Sequence, residues 1–388
     1  MIMTTQLNPW IVAKFGGSSV RDASAMKKVA HVVGLNPLIK LVIISATYNT
    51  TNQLEFVAQA GLRGDENVLN ALVAEIETKH LKIADELETS VQGRKDLGVL
   101  FQELRALGFQ ISKDKSYTAK TMDILYSLGE RMSSLLMADY LRLSLPKRHV
   151  VFFDARKVIK TNSDFQKAEP QIDLIEENAK EVLLERNNPE TLYVTQGFIG
   201  EDLQGHTTTL GREGSDYSAA LFGEAIKASE IQIWTDVPGV ASTDPRICPD
   251  ARFISKISYD EATALATLGA KVLFPRTLEP AKRHSIPVFV GATQSPEAGG
   301  TYVVKEREHV FKLKAVSVLK KENNQWLVSL IGSELHTMKD LPQQFIQFLA
   351  TGNFQATLSD LTAVSLSVLV STEERERLHQ LAHKFLSI

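Results

Sequence analysis

The chain has 388 residues, 44% hydrophobic and 23% charged, with a formal net charge of -3: an ordinary globular composition, long enough for two hydrophobic cores. That balance gives no electrostatic reason to expect nucleic acid or an anionic membrane as partner, and no run of about 18 apolar residues offers a transmembrane helix. The single cysteine, Cys248, excludes an internal disulfide, and the first residues lack the basic start of a signal peptide, so a reducing cytoplasmic location is expected.

Residues 10–15 read as a short apolar strand running into Gly16-Gly17-Ser18-Ser19, with a helix over 24–33. Such a unit either sets the Gly16 and Gly17 amides against phosphates, with Lys14 reaching toward them, or makes a plain tight turn. Neither G-x-G-x-x-G nor G-x-x-x-x-G-K-[ST] follows the strand, so a Rossmann dinucleotide site and a P-loop are not supported. Residues 38–45 form a second strand, apolar on both faces as in a buried parallel sheet, and end in SATYNTTN at 45–52. From 51 to 145 the pattern is largely helical, with charged faces turned to solvent. The last of these helices carries YSLGERMSS at 126–134, where Glu130 follows a glycine; a lone helical glutamate is ordinarily just exposed.

Residues 149–155 read as a strand and 172–184 as a helix. A strand at 192–196 then leads through a hairpin to a Thr-Thr-Thr-Leu-Gly turn, a helix opening at Ser215-Asp216 and a buried strand at 231–235. Ser215 and Asp216 are expected to cap the helix, whose N–H groups and dipole form a seat for a polyanion. Gly211 and Gly214 bracket the turn, and Arg212 between them offers a planar fork for carboxylate or phosphate. A helix at 258–267 leads into GAKVLFP at 269–275, a strand follows at 286–290, and Gly299-Gly300-Thr301 closes the domain. The alternation predicts an α/β fold, a mainly parallel sheet covered by helices on both faces, over residues 1–305.

A composition shift near 303–313 marks a boundary. Residues 306–388 hold strands at 314–319, 326–331, 354–358 and 363–370 and helices at 339–350 and 372–385, a small α+β domain. His379 and His383 have metal-ligand spacing on the last helix, but Gln380 stands where a zinc protease has glutamate, and a surface helix face is the expected reading.

Three motifs in order, VAKFGGSSV, TTTLGREGSDYSAAL and WTDVPGVASTDPR, closely resemble aspartate kinases of the amino-acid kinase family. SATYNTTN is similar to the family's Ser-Ala-x-x-Gly-x-Thr-Asn segment, SLGERMSS to Ser-x-Gly-Glu-x-x-Ser, and GAKVLFP to a Gly-Ala-Lys-Val-Leu-His-Pro motif with Phe274 in place of histidine. The resemblance implies an amino-acid kinase-like fold with one ACT-type βαββα unit at 306–388, where the family typically carries two. It implies transfer of the ATP γ-phosphoryl group to the side-chain carboxylate of L-aspartate, giving 4-phospho-L-aspartate. That is the first step toward lysine, threonine, methionine and diaminopimelate.

Carried over by the same resemblance, Lys14, Asp216 and Lys271 are catalytic, while Ser45, Thr51, Glu130, Phe198, Arg212 and Ser215 hold aspartate. Lys14, Phe15, Gly16, Gly17, Thr235, Asp236, Arg246, Lys271 and Val272 line the nucleotide site. Mg²⁺ is expected on the ATP phosphates rather than in a protein cage. A homodimer is expected from the exposed sheet edges of an ACT-like unit. Three positions depart from the family: Asn49 and Glu213 replace glycines, and Ala241 stands where a tyrosine is frequent. Asparagine tolerates positive φ, and Glu213 is expected to turn to solvent. Two other readings stay open: a kinase for another small acid such as glutamate or acetylglutamate, and a weakened homologue serving as a regulatory subunit.

Overall fold

Valine and isoleucine without polar alternation make strands buried on both faces, and the first half of the chain alternates such strands with capped helices. The computed structural model describes residues 8–185, 188, 190–270, 275–305, 308–322 and 324–387. Contacts divide the chain into a first unit, Met1–Asp236 with Gly291–Glu297, and a second, Val237–Val290 with Ala298–Ile388.

In the first unit β1 (Asn8–Phe15) is followed by a short 3₁₀ turn, α1 (Ala23–Leu35) and β2 (Ile39–Ile44). Four helices come next: α2 (Thr50–Arg63), α3 (Glu66–Glu86), α4 (Val91–Asp114) and α5 (Ala119–Ser144). The starts of α1, α3, α4 and α5 follow the capping rules, since the side chains of Asp22, Asp65, Ser90 and Thr118 accept hydrogen bonds from amides of their first turns. Then come β3 (His149–Phe152), β4 (Lys160–Thr161), α6 (Ile172–Ala179), β5 (Thr191–Gln196), β6 (Ile199–Asp202), β7 (Thr207–Thr209), α7 (Gly214–Ala225) and β8 (Ala228–Thr235). Five strands pair in parallel in the order β3-β5-β2-β1-β8. β4, β6 and β7 form a separate small sheet. In this arrangement the C-terminal ends of β1, β2 and β5 are neighbours, with Phe15 beside Ile44 and Ile44 beside Gln196. Their following loops therefore meet at one edge, where α/β sheets place ligands.

The second unit contains β9 (Lys256–Ser258), α8 (Tyr259–Thr267), α9 (Pro275–His284), the first residues of β10 (Val288–Ala292), and β11 (Gly300–Val304), which pairs in parallel with β9. It also holds β12 (Lys312–Lys320), β13 (Gln325–Ser333), α10 (Leu341–Ala350), β14 (Ala356–Leu361), β15 (Ser365–Ser371) and α11 (Arg375–Lys384). β12-β13-β15-β14 make an antiparallel sheet, and Val328, Leu330, Leu366 and Val368 on one face pack with Phe345, Leu349, Leu378 and Phe385 from the helical side. This is the α+β, ACT-like architecture expected of the C-terminal region. The strand limits match the sequence reading to within three residues because short apolar, β-branched runs and the turns bounding them are local signals.

The expected boundary after residue 305 falls inside the second unit. Polar bonds tie its earlier and later parts: the Val316 amide donates to the Ser242 carbonyl (2.7 Å), and the Lys314 ammonium donates to the Glu261 carboxylate (2.9 Å). His379 and His383 belong to the same seam. They are 4% and 7% exposed, and their Nε2 atoms bond the hydroxyls of Thr243 and Ser242. The surface-face reading of this pair is therefore corrected: both imidazoles are buried partners of a turn. Cys248 is buried nearby in sequence, and burial pushes its thiol up to about 11.

Lys314 and Glu261 are almost wholly enclosed. Burial works against the Glu261 charge, but the Ser258 amide, the Ser333 hydroxyl and Lys314 together hold its carboxyl below the ordinary range. Removing one partner of a buried pair leaves the other charge uncompensated, so Lys314→Met should cost about 3 kcal/mol, read as a lowered urea midpoint of the intact chain.

Candidate active site

Gly17 after β1 and Gly129 in α5 allow close packing. A Cβ on Gly17 would meet the Ala46 carbonyl oxygen at 3.0 Å, and one on Gly129 would meet Ala46 Cβ at 2.8 Å. The backbone of the loop after β2 thus lies between the β1 turn and α5. It is fastened there by the Ser45 amide donating to the Phe15 carbonyl (3.2 Å) and the Ser133 hydroxyl donating to the Ser45 carbonyl (2.6 Å).

On the other side, Gly197 and Gly214 let the β5 turn and the start of α7 touch. A Cβ on Gly197 would lie 2.7 Å from Ser215 Cβ, and one on Gly214 would lie 2.5 Å from the Phe198 ring. The start of α7 differs from expectation. The N-cap is Glu213, with φ 53 and no side-chain cap, and Ser215 and Asp216 lie within the first turn. Neither is the cap the sequence reading made it. An uncapped helix start keeps its amide dipoles available for an anion.

These pieces enclose an open cleft of about 690 Å³ in the first unit. Of the residues assigned from sequence, Lys14, Gly17, Ser45, Thr51, Glu130, Phe198, Arg212, Ser215, Asp216 and Asp236 line it. Lys14, at the end of β1, is 7% exposed and ion-paired with Asp216 of α7. Glu130 is 4% exposed, and its Oε2 has no hydrogen-bond partner. Burial pushes its carboxyl up to about 8, against the opposing pull of backbone hydrogen bonds and the Lys14 charge. Arg212 and Glu213 are exposed at the rim. Phe198 and Asn49 hold positive φ of 69 and 64, so both turns adopt the left-handed conformation without glycine.

Phe15, Gly16 and Thr235 sit one step back from the lining. The Gly16 amide donates to the Trp234 carbonyl (3.0 Å), Phe15 stacks on Trp234, and the Thr235 hydroxyl donates to Asp236 (3.1 Å). Arg246 belongs to the second unit, where it is exposed and grips Asp244 in a bidentate pair. Lys271 and Val272 lie outside the described residues. Among the described residues no group of three or more His, Cys, Asp or Glu side chains could hold a metal ion.

A family model, described as the amino acid kinase family, matches residues 9–292. Lysine-sensitive aspartokinase 3 of Escherichia coli is 40% identical over 364 residues, 93% of this chain and 78% of that protein. The aspartokinase of Chlamydia muridarum is 34% identical over 82% of this chain and 69% of its own length. The crystal structure of E. coli aspartokinase III in complex with aspartate and ADP superposes with a TM-score of 0.86 at 31% identity, covering 98% of this chain and 100% of that one. The chain belongs to the amino acid kinase family, among the aspartokinases.

This aspartokinase carries cleft residues that the sequence reading did not single out: Tyr126, Gln166 and Thr209. Tyr126 stands four residues before Glu130, one helical turn along the same face, a spacing that could have flagged it. It lies edge-on to Phe198, and burial pushes its phenol up to about 12. Gln166 and Thr209 are held by a buried α5 carboxylate, Asp123, which accepts from the Gln166 amide (3.0 Å), the Thr209 amide (2.9 Å) and the Thr209 hydroxyl (2.8 Å). Those bonds bridge 43 and 86 positions, a separation no local pattern reveals.

Glu130 gives the aspartokinase fold a pH signature. In the unfolded chain the carboxyl releases its proton near ~4.3, while the folded one holds it to about 8. The stability associated with the protonated form is therefore complete at low pH and lost as pH rises from about 4.3 to about 8. Urea midpoints measured from pH 5 to 8.5 should fall with pH in the wild type and fall less steeply in Glu130→Gln.

Proposed function

We propose that this chain is an ATP-dependent aspartate kinase, which transfers the γ-phosphoryl group of ATP to the side-chain carboxylate of L-aspartate and yields 4-phospho-L-aspartate. The observation that carries this reading is the 40% identity to a lysine-sensitive aspartokinase across 93% of the chain. The convergence of Lys14, Asp216, Glu130, Arg212 and Ser45 on one cleft supports it. In this reading residues 1–305 carry the kinase chemistry, 306–388 form the ACT-like part, and the product enters lysine, threonine and diaminopimelate biosynthesis.

An aspartate side chain, with an unperturbed pKa near ~3.9, is already ionised at neutral pH, so the acceptor needs no general base. The reaction demands in-line positioning of two anions and neutralisation of charge on the moving phosphoryl group. Lys14 supplies a fixed positive charge, and Asp216 orients its ammonium by their ion pair. The uncapped start of α7 adds amide dipoles toward the same anion. Glu130 pairs with the substrate ammonium, Arg212 grips a carboxylate through its planar fork, and Ser45, Thr51 and Ser215 donate hydroxyl hydrogen bonds. Phe198 closes the acceptor end beside Tyr126.

The nucleotide is assigned to Lys14, Phe15, Gly16, Gly17, Thr235, Asp236, Arg246, Lys271 and Val272. Mg²⁺ would ride on the phosphate oxygens, with Asp216 and Asp236 of the cleft lining as the carboxylates that would hold it, and would neutralise phosphate charge. A homodimer through the exposed edge of β14, where Leu358 is 51% exposed, and a cytoplasmic location complete the proposal.

The direct test is ADP release from ATP with L-aspartate, compared with glutamate and acetylglutamate. Aspartate-dependent turnover is expected, and turnover with either other acid in its place would overturn the reading. Lys14→Met should lower kcat by about a hundredfold to a thousandfold, and should also lower the urea midpoint, because Asp216 is left buried without its partner. Docking the substrate ammonium beside Glu130 should expel the carboxyl proton. Calorimetry near pH 7 in buffers of different ionisation enthalpy should then show close to one proton released per aspartate bound, and none for Glu130→Gln.

A further inference from the structure

The loop between β2 and α2 and the first turn of α2 supply Ser45, Thr47, Tyr48, Asn49, Thr51 and Asn52 to the cleft, and the loop turns through the left-handed Asn49 without a side-chain cap for α2. A loop with that conformation is held by something else. Beneath it lie two consecutive residues of α3, Lys79 and His80, which do not line the cleft and stand outside every motif of the sequence reading.

The direction of every hydrogen bond there follows from chemistry. His80 is fully buried, and burial pushes its imidazole down to about 4, aided by the Lys79 charge and opposed by a backbone hydrogen bond, so the ring is neutral. Its Nδ1 lies 2.7 Å from the Ile76 carbonyl, which can only accept; Nδ1 therefore carries the proton and Nε2 is an acceptor. The Thr47 hydroxyl, 3.2 Å from Nε2, must then donate to it. That leaves the Thr50 hydroxyl, 2.5 Å away, to donate to the Thr47 oxygen. Lys79 in turn donates to Thr50 Oγ1 (2.7 Å), the Tyr48 carbonyl (3.0 Å) and Gln53 Oε1 (2.9 Å), using all three of its protons. Each donor has an acceptor, and the relay Lys79 to Thr50 to Thr47 to His80 runs in one direction only.

We infer that Lys79 and His80 are positioning residues for the amino-acid acceptor: their relay sets the backbone from Thr47 to Gln53, and with it the placement of Thr51 in the cleft. The kinetic part rests on the reading of the cleft as an aspartate site; the structural part does not. A side chain that merely filled space beneath the loop would be replaceable by an apolar one of equal size. A member of the relay would not be, because the threonine hydroxyls would lose their fixed order.

The test uses Lys79→Met, His80→Leu and His80→Gln in the full chain, with Lys82→Met on the exposed face of α3 as control. His80→Gln restores an acceptor oxygen to Thr47. Amide exchange at Thr50 and Gln53, which bond the Thr47 and Asn49 carbonyls, reads the brace without any substrate. Exchange about tenfold faster is expected in Lys79→Met and His80→Leu, near wild type in His80→Gln and unchanged in Lys82→Met. In turnover, the KM for aspartate should rise about tenfold in the first two, with kcat within about threefold and the KM for ATP unchanged, and His80→Gln should recover most of the loss.

Unchanged exchange in Lys79→Met would overturn the brace; Lys79 is only half-buried, so this variant folds even where His80→Leu does not. Faster exchange with an unaltered KM for aspartate would overturn the positioning role. Faster exchange in Lys79→Met and His80→Leu, with no aspartate turnover by the wild type, would leave the brace standing and remove the kinase reading instead.

Discussion

The pairing of Lys14 with Asp216 is the constraint on which the cleft depends. It joins the end of a central strand to the first turn of α7, and both side chains are 9% exposed. Two charges withdrawn from water cost several kcal/mol each in desolvation, which their attraction repays only in good geometry. A pair maintained at that cost fixes position more than it adds stability. Here it holds a cation over a helix start that has no side chain of its own to satisfy it.

The surrounding packing serves the same geometry. Gly17, Gly129, Gly197 and Gly214 each stand where a Cβ would press on the backbone or a side chain of the facing element. The loops after β1, β2 and β5 can therefore crowd around α5 and α7 without a gap. Glu130 ends up in that crowd with one oxygen unpartnered, a cost that a bound ammonium would offset. The site is thus organised by what it lacks: a side-chain cap on α7 and a hydrogen-bond partner for Glu130 Oε2.

Much of this was legible in the sequence, for physical reasons that differ by feature. The parallel strands showed because uninterrupted β-branched runs are a local signal, and those assigned residues that line the cleft, such as Lys14, Glu130 and Asp216, were picked out because they sit in contiguous motifs. The Ser215-Asp216 cap was misread because Glu213 adopts a left-handed conformation that glycine usually takes, which moves the helix start back to Gly214. His379 and His383 were misread because their partners, Thr243 and Ser242, are 136 and 141 positions away. Lys79 and His80 were invisible for the same reason. Spacing along a helix shows which residues share a face, not what the face meets. The unit boundary was hidden likewise, since the polar bonds that draw 237–290 toward the C-terminal sheet leave no trace in composition.

The lone cysteine has a practical corollary. Cys248 is 1% exposed, and its thiol is pushed up to about 11, so at neutral pH it is both shielded and almost wholly un-ionised. The native chain is in effect blank to maleimide reagents. A single engineered thiol on the rim of the cleft would carry a fluorophore or spin label without background, which makes the molecule a ready substrate for distance measurements that many enzymes permit only after their own cysteines have been stripped out.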